Sequence, residues 1–230
     1  MTDGGKYVTQ KRATRLVTPD RIQEQLRKAI IMGRYRQGDK IVENDLAESF
    51  GASRGSVRSA LQALEGEGMI RMLPNGRKEV VGFTHKEARD MYELRWMIEN
   101  RAVEIAMERK TLMFTPLLTV LRRIEQCSEQ MDADTDWYDL DLQFHRALVQ
   151  AADSAPLLKA WEISMPTMYA LLELNTSIDY RERYIMEFLP KHRRLSELTI
   201  RGDEEVFALL KEHIMDANAI SEHVMEHFNP

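Results

Sequence analysis

Apolar residues recur every third or fourth position through most of the chain, the signature of amphipathic helices. Ile22, Leu26, Ala29 and Ile30 make the first stripe, with Thr18-Pro19 as cap and first helical residue and Gly33 as the stop. A short helix over residues 43–50 follows, with Leu46, Ala47 and Phe50 inward and Gly51 ending it. Val57, Ala60, Leu61 and Leu64 lie at i, i+3, i+4 and i+7 of a third helix, which Ser53 is placed to cap.

After Gly68 the period changes. Residues 69–74 and 77–81 flank Asn75-Gly76, a signal for a two-residue hairpin turn. Thr84-His85-Lys86-Glu87 is a capping-box pattern and opens a helical remainder. There, Met91, Leu94, Ile98, Ala102, Ile105 and Ala106 mark one long helix. Leu117, Leu118, Leu121, Ile124 and Met131 mark a second, and Leu140, Phe144, Leu148 and Ala151 a third. Pro156 opens a fourth that Pro166 should kink or break; a stretch over 180–201 is expected to be interrupted at Pro190, and a last helix covers 203–228. The predicted fold is mostly α. A flexible basic arm over 1–17, with Lys6, Lys11, Arg12 and Arg15, precedes a winged helix-turn-helix over 18–83 and an all-α helical bundle over 84–230.

Charge sharpens this division. The net charge of −5 splits into 15 Lys+Arg against 10 Asp+Glu in residues 1–82, and 17 against 27 in the remainder. Only the first part is suited to nucleic acid. No apolar run approaches the roughly 20 residues of a membrane span, and the start lacks the apolar core of a secretion signal. A cytoplasmic protein with no membrane partner is expected. The single cysteine, Cys127, continues an apolar stripe and reads as a buried structural thiol.

Arg54 and Arg58 project together near the start of the third helix. Like charges four apart cost roughly 0.2–0.5 kcal/mol, and cations near a helix N-terminus cost about 0.3–1 kcal/mol. A polyanion against that end would reverse both signs, so the stretch reads either as a DNA-recognition helix or as an ordinary surface helix with two solvated arginines. Residues 33–41, Leu46-Ala47, Ser53-Arg54, Val57-Arg58, Ala60-Leu61, Leu64-Glu65 and Gly68 resemble the DNA-binding domain of the GntR family of bacterial transcription regulators. The resemblance implies that Arg54 and Arg58 read bases or clamp phosphates and that Ser53 and Ser56 bind the DNA backbone. It also brings Asn44 in from the second helix, and lets Gly76 close the wing tip in with Arg77 beside it. Gly55 departs from the family pattern of Thr or Pro, which removes one backbone contact and loosens the helix start.

Asp141 and His145 share one helical face, His192 follows Pro190, and His213 sits on the last helix. A carboxylate with imidazoles suits a divalent transition ion, although Asp-x-x-x-His pairs are common on helix surfaces. The blocks 141–145, 192–195, 202–203 and 213–214 resemble, in order, the helical ligand-binding domain of the fatty-acid-regulator (FCD) branch of the same family. That resemblance implies a zinc- or nickel-type ion on Asp141, His145, His192 and His213. It also implies an effector carboxylate at Arg95, with Glu99 as a further effector contact; the plain alternative for Arg95 and Glu99 is a surface ion pair. His223 and His227 form another i,i+4 pair that reads as solvated.

The function expected is that of a homodimeric regulator on a near-palindromic double-stranded DNA operator, responding to a small organic acid bound in a metal-containing cavity. Two other readings stay open: a metal-dependent hydrolase or isomerase using the Asp/His cluster, and a metal sensor with no organic effector.

Overall fold

A computed structural model describes residues 17–109, 114–130, 135–175 and 181–228, without the side chains of 181–185, 227 and 228. The basic arm through residue 16, Met131, Tyr180 and the His227 side chain therefore lie outside the described residues.

Helix α1 (Pro19–Ile31) starts where Thr18 accepts the Arg21 amide. Strand β1 (Lys40–Ile41) leads into α2 (Glu43–Phe50), which ends on Gly51 at φ 58°. Helix α3 (Arg54–Gly66) is capped by Ser53, whose Oγ accepts the Ser56 amide at 3.0 Å. Val57, Ala60, Leu61 and Leu64 are buried against α1 and α2, so the stripe packs as its spacing requires. Strands β2 (Ile70–Met72) and β3 (Lys78–Val80) pair antiparallel with Arg71 opposite Glu79, and β1 adds to the other edge of β3.

The hairpin turn differs from the predicted two-residue form. Its closing bond runs from the Leu73 amide to the Arg77 carbonyl at 2.7 Å, and the Gly76 amide donates to the Leu73 carbonyl at 2.9 Å. The loop is therefore Pro74-Asn75-Gly76. Pro74 has no N–H, so it cannot close a loop of Asn75-Gly76 alone. Gly76, at φ 77°, takes the left-handed position of a three-residue loop.

Helix α4 (His85–Arg109) begins at a reciprocal capping box. The Thr84 amide donates to Glu87 Oε2 at 2.6 Å and the Glu87 amide to Thr84 Oγ1 at 3.1 Å. Helices α5 (Thr115–Gln130), α6 (Trp137–Gln150), α7 (Ala155–Leu174), α8 (Arg181–Arg201) and α9 (Glu205–Phe228) complete a bundle in which α4 packs on α6, α7 and α9. Two expectations fail here: a break at the prolines, and the inward face of α4. Helices α7 and α8 run unbroken through Pro166 and Pro190. The carbonyls that lose their i+4 amide donor are those of Glu162 and Met186, residues that are half-exposed and exposed. The inward face of α4 is also rotated: Tyr92, Arg95 and Glu99 are buried, whereas Leu94 is exposed. Leu118 of α5 is likewise exposed, and Cys127 is only half-buried against the core.

The two parts meet where α1 lies on α7. Lys28 pairs with Glu173 at 2.5 Å and sits over the Tyr169 ring at 5.3 Å.

Candidate metal centre and nucleic-acid interface

Helix α6 brings Asp141 and His145 to one inward face, α8 supplies His192 and α9 supplies His213. One ligand atom from each lies within 4.8 Å of the others. His145 Nε2 is 3.1 Å from His213 Nε2, and His192 Nε2 is 3.1 Å from Asp141 Oδ1. Asp141 Oδ1 is 3.7 Å from His145 Nε2 and 3.8 Å from His213 Nε2. Donor atoms about 2.1 Å from a shared ion stand about 3.0–3.4 Å apart, so these four pairs need only tenths of an ångström of adjustment, while the widest separation in the set, up to 4.8 Å, must close by about an ångström or more.

The outer atoms of these ligands are held as well. His145 Nδ1 donates to Glu99 Oε2 at 2.6 Å and His192 Nδ1 to the Phe188 carbonyl at 2.6 Å. With the proton kept on Nδ1 by these acceptors, both rings can offer an Nε2 lone pair to a cation. Asp141 keeps Oδ1 for the centre while Oδ2 accepts from Arg95 Nη2 at 3.0 Å. Arg95 Nε and Trp161 Nε1 both donate to Glu99 Oε1 at 2.9 Å. Phe188 stacks on His192 with centroids 4.1 Å apart, and Phe144 meets the same ring edge-on at 4.5 Å.

Electrostatics favour a cation. Burial alone would raise the Glu99 and Asp141 carboxyls, but the charges of His145 and Arg95 outweigh it, holding Glu99 at about 2 and Asp141 well below the carboxylate range. Burial pushes His145 down, with Arg95 adding to it, and takes His213 to about 3. With neutral imidazoles, Arg95 balances only one of two buried carboxylates. The residual negative charge has no counter-ion among these groups, and the chemistry of the donor set fits a divalent transition ion.

The expected ligand residues therefore come together. Arg95 and Glu99, expected as effector contacts, lie behind the four ligand residues. They are a fully buried pair rather than a surface one, and neither lines the cavity beside the tetrad. That cavity, about 270 Å³ between α8 and α9, is lined by His192 and His213 together with Asn175, Lys191 and Asp216. His213 is the one ligand with appreciable exposure, 14% of its side chain. Asn175, Lys191 and Asp216 were not singled out from sequence for the site; their signal is three-dimensional. His223 is exposed and does not join the cluster.

At the other end, Asn44, Ser53, Arg54, Arg58, Gly76 and Arg77 are exposed and Ser56 is half-exposed. The Ser53 and Ser56 hydroxyls share a bond of 2.9 Å. Arg58 is held by Glu43 of α2 at 3.0 Å. Lys78, next to Arg77, pairs with Glu65 of α3 at 3.0 Å. Arg27, buried on α1, makes a two-pronged bond to Glu67 at the end of α3, which ties those helices together.

A family model of bacterial regulatory proteins, gntR family, matches residues 18–80, and the FCD domain model matches residues 90–216. The chain belongs to the GntR family. The family is one of DNA-binding transcription regulators, not enzymes, so the hydrolase or isomerase reading is not favoured. This regulator is 28% identical over 206 residues to the uncharacterized HTH-type transcriptional regulator YdhC of Bacillus subtilis, covering 89% of this chain and 85% of that one. It is 29% identical over 176 residues to the gluconate operon transcriptional repressor of Bacillus licheniformis, covering 76% and 72%. Its fold resembles that of a GntR transcriptional regulator from Rhodococcus sp. RHA1, with TM-score 0.60, 22% identity and coverage of 87% and 95%. Among the described residues no helix is long and apolar enough to cross a membrane.

Proposed function

We propose that this GntR-family regulator binds a near-palindromic operator as a homodimer and that its operator affinity is set by a small carboxylate effector at a metal-containing cavity. The supporting observation is the convergence of Asp141, His145, His192 and His213 beside a cavity between α8 and α9. In this reading residues 18–83 are the DNA-binding unit, residues 84–230 the sensing and dimerising unit, and residues 1–17 a basic arm.

The four residues hold zinc or nickel. The ion supplies positive charge and open coordination positions for a ligand oxygen. Arg95 and Glu99 act as positioning residues: Arg95 fixes the outer oxygen of Asp141, and Glu99 fixes the ring of His145. His213, the exposed ligand, faces the effector.

On DNA, Arg54 and Arg58 enter the major groove. A well-placed bidentate base contact discriminates by about 1–3 kcal/mol. Ser53, Ser56 and Asn44 meet the backbone, and Gly76 with Arg77 brings the wing tip close. A dimer sets two α3 helices about 34–36 Å apart. An effector shifts the arrangement of the two DNA-binding units only by the difference between its affinities for the alternative arrangements.

The test joins both ends. Arg58→Ala abolishes specific retardation of an operator fragment selected from random sequence while the thermal midpoint is kept. His192→Ala loses the metal, measured by elemental analysis, and the effector-dependent change in retardation. Unchanged operator affinity in the first variant, or full metal content in the second, overturns the corresponding half.

A further inference from the structure

Successive residues of α1 reach to different partners. Arg27 binds Glu67 at the C-cap of α3, which makes α1 and α3 move together. Lys28 turns to the bundle, where Nζ pairs with Glu173 of α7 at 2.5 Å and lies 5.3 Å from the centre of the Tyr169 ring. The Tyr169 hydroxyl donates to Asp136 Oδ2 at 2.7 Å, and Asp136 Oδ1 accepts the Asp139 amide at 3.0 Å as the cap of α6. Burial pushes the Tyr169 hydroxyl up and Asp136 adds to it, so it keeps its proton and remains a donor.

We propose that Lys28, Tyr169, Glu173 and Asp136 form a latch that sets the angle of the DNA-binding unit on the bundle and answers to occupancy of the tetrad. The inference rests on the metal-site reading above. Asp136 caps the helix that carries Asp141 and His145, and Trp161 of α7 holds Glu99, the support of His145. Two ligands of the tetrad and the cap therefore belong to one helix, and α7 touches both ends of the path. Drawing the four ligands together around a cation moves the helices that carry them, α6 among them, and the cap moves with α6. Lys28 and Glu173 are partly exposed, and such pairs are individually weak, which suits a contact that is made and broken in use. Beside the latch, a cavity of about 400 Å³ lies between Asp20, Gln23 and Glu24 of α1 and Asp139, Leu142 and Met165 of the bundle. Helix α1 is thus pinned near Lys28, while its first turns have room to tilt.

Hydrogen exchange on the full-length protein tests this, with zinc or nickel loaded or removed by chelator and elemental analysis of every sample. Loading metal is expected to slow exchange through α1 and to change affinity for an operator fragment selected from random sequence by about fivefold or more. Tyr169→Phe removes only the hydroxyl bonded to Asp136, and Lys28→Met removes the ammonium. Both variants are expected to keep their metal and their operator binding, while the affinity ratio falls below about twofold and exchange in α1 no longer responds. If Lys28→Met does not fold, Tyr169→Phe carries the test; if no fragment is selected, exchange in α1 decides it. A variant that keeps metal and the full wild-type response overturns the latch. So does one that loses metal or operator binding outright, the mark of a structural contact. Metal uptake by the wild type without a response in α1 overturns the inference alone, whereas failure to take up either metal overturns the tetrad reading and the inference with it.

Discussion

Arg95 and Asp141 stand 46 positions apart in sequence and meet in a buried ion pair, Nη2 to Oδ2, at 3.0 Å. The same guanidinium donates through Nε to Glu99, so one cation spans the two carboxylates that anchor opposite sides of the tetrad. Replacing Arg95 by Met would leave both carboxylates buried without it. Breaking such a pair costs about 3–5 kcal/mol, and urea denaturation of the chelated protein should lose that much. Zinc or nickel should restore part of it, because the added cation faces the same negative charge. A loss below about 1 kcal/mol in chelator, the range of surface pairs, would mean that Arg95 does not hold the site together.

Acid should weaken the metal-free protein, and the sign follows from the directions of the shifts. Burial lowers His145 and takes His213 to about 3, from 6.5. Glu99 is held at about 2, from 4.5, and Asp141 also lies below its ordinary value. Each group binds its proton less readily in the folded chain than in the unfolded one. The unfolded state therefore takes up more protons on acidification, and stability present at neutral pH is lost as pH falls. Histidines contribute first, below about 6.5, and the carboxylates below about 4.5. Urea midpoints measured in chelator should fall steadily from pH ~7 to pH ~4. A midpoint that holds constant or rises on acidification would contradict the buried, proton-poor tetrad.

Local signals carried most of the fold in the sequence. Ser53, Thr18 and the Thr84–Glu87 box cap their helices because capping depends only on residues three apart. Asp141 and His145 were legible as a pair for the same reason, whereas His192 and His213 joined them only through the order of family blocks. The rest required the third dimension. Arg95 and Glu99 at i,i+4 read equally as a surface pair, since nothing local says that Tyr92, Arg95 and Glu99 face inward while Leu94 faces out. Apolar counting misplaced that face because the buried side of α4 carries the polar supports of the tetrad. Prolines misled for a different reason. Pro166 and Pro190 each remove one helical bond at a cost of about 3 kcal/mol, and long helices packed along a bundle absorb that loss; the orphaned carbonyls belong to half-exposed Glu162 and exposed Met186.

At the DNA-facing end, Arg54 and Arg58 differ in what holds them. Arg58 is braced by Glu43. Of the two roles the family resemblance implies for Arg54, a phosphate clamp at the first turn of α3 has a distinct signature. Arg54→Ala should then weaken binding nearly uniformly across operator variants and reduce the slope of log affinity against log salt by about 0.9. Arg58→Ala should instead lose discrimination at the base pairs it reads, by about 1–3 kcal/mol each, enough to remove specific retardation. Fluorescence anisotropy over a salt series with two operator variants separates the two. A base-specific loss for Arg54 with an unchanged salt slope would exchange the assignments.

Gly55 is the last position in α3 whose consequence can be measured. It stands in the first turn, and a Cβ built there meets only Ser53 Oγ, at 3.7 Å, which is ordinary contact. No positive φ requires glycine. The folded chain therefore gains nothing from the missing side chain, while the unfolded chain gains freedom. Gly55→Ala should stabilise the protein by about 0.4–1 kcal/mol, read as a higher urea midpoint at unchanged slope. Operator affinity gives the second readout, because the added methyl sits between Arg54 and Ser56 on the exposed side of the turn. Higher stability with lower operator affinity would show that the DNA backbone approaches this turn too closely for a side chain. Higher stability with unchanged affinity would assign the glycine no part in DNA contact. A lower midpoint would contradict the open space found around its Cα.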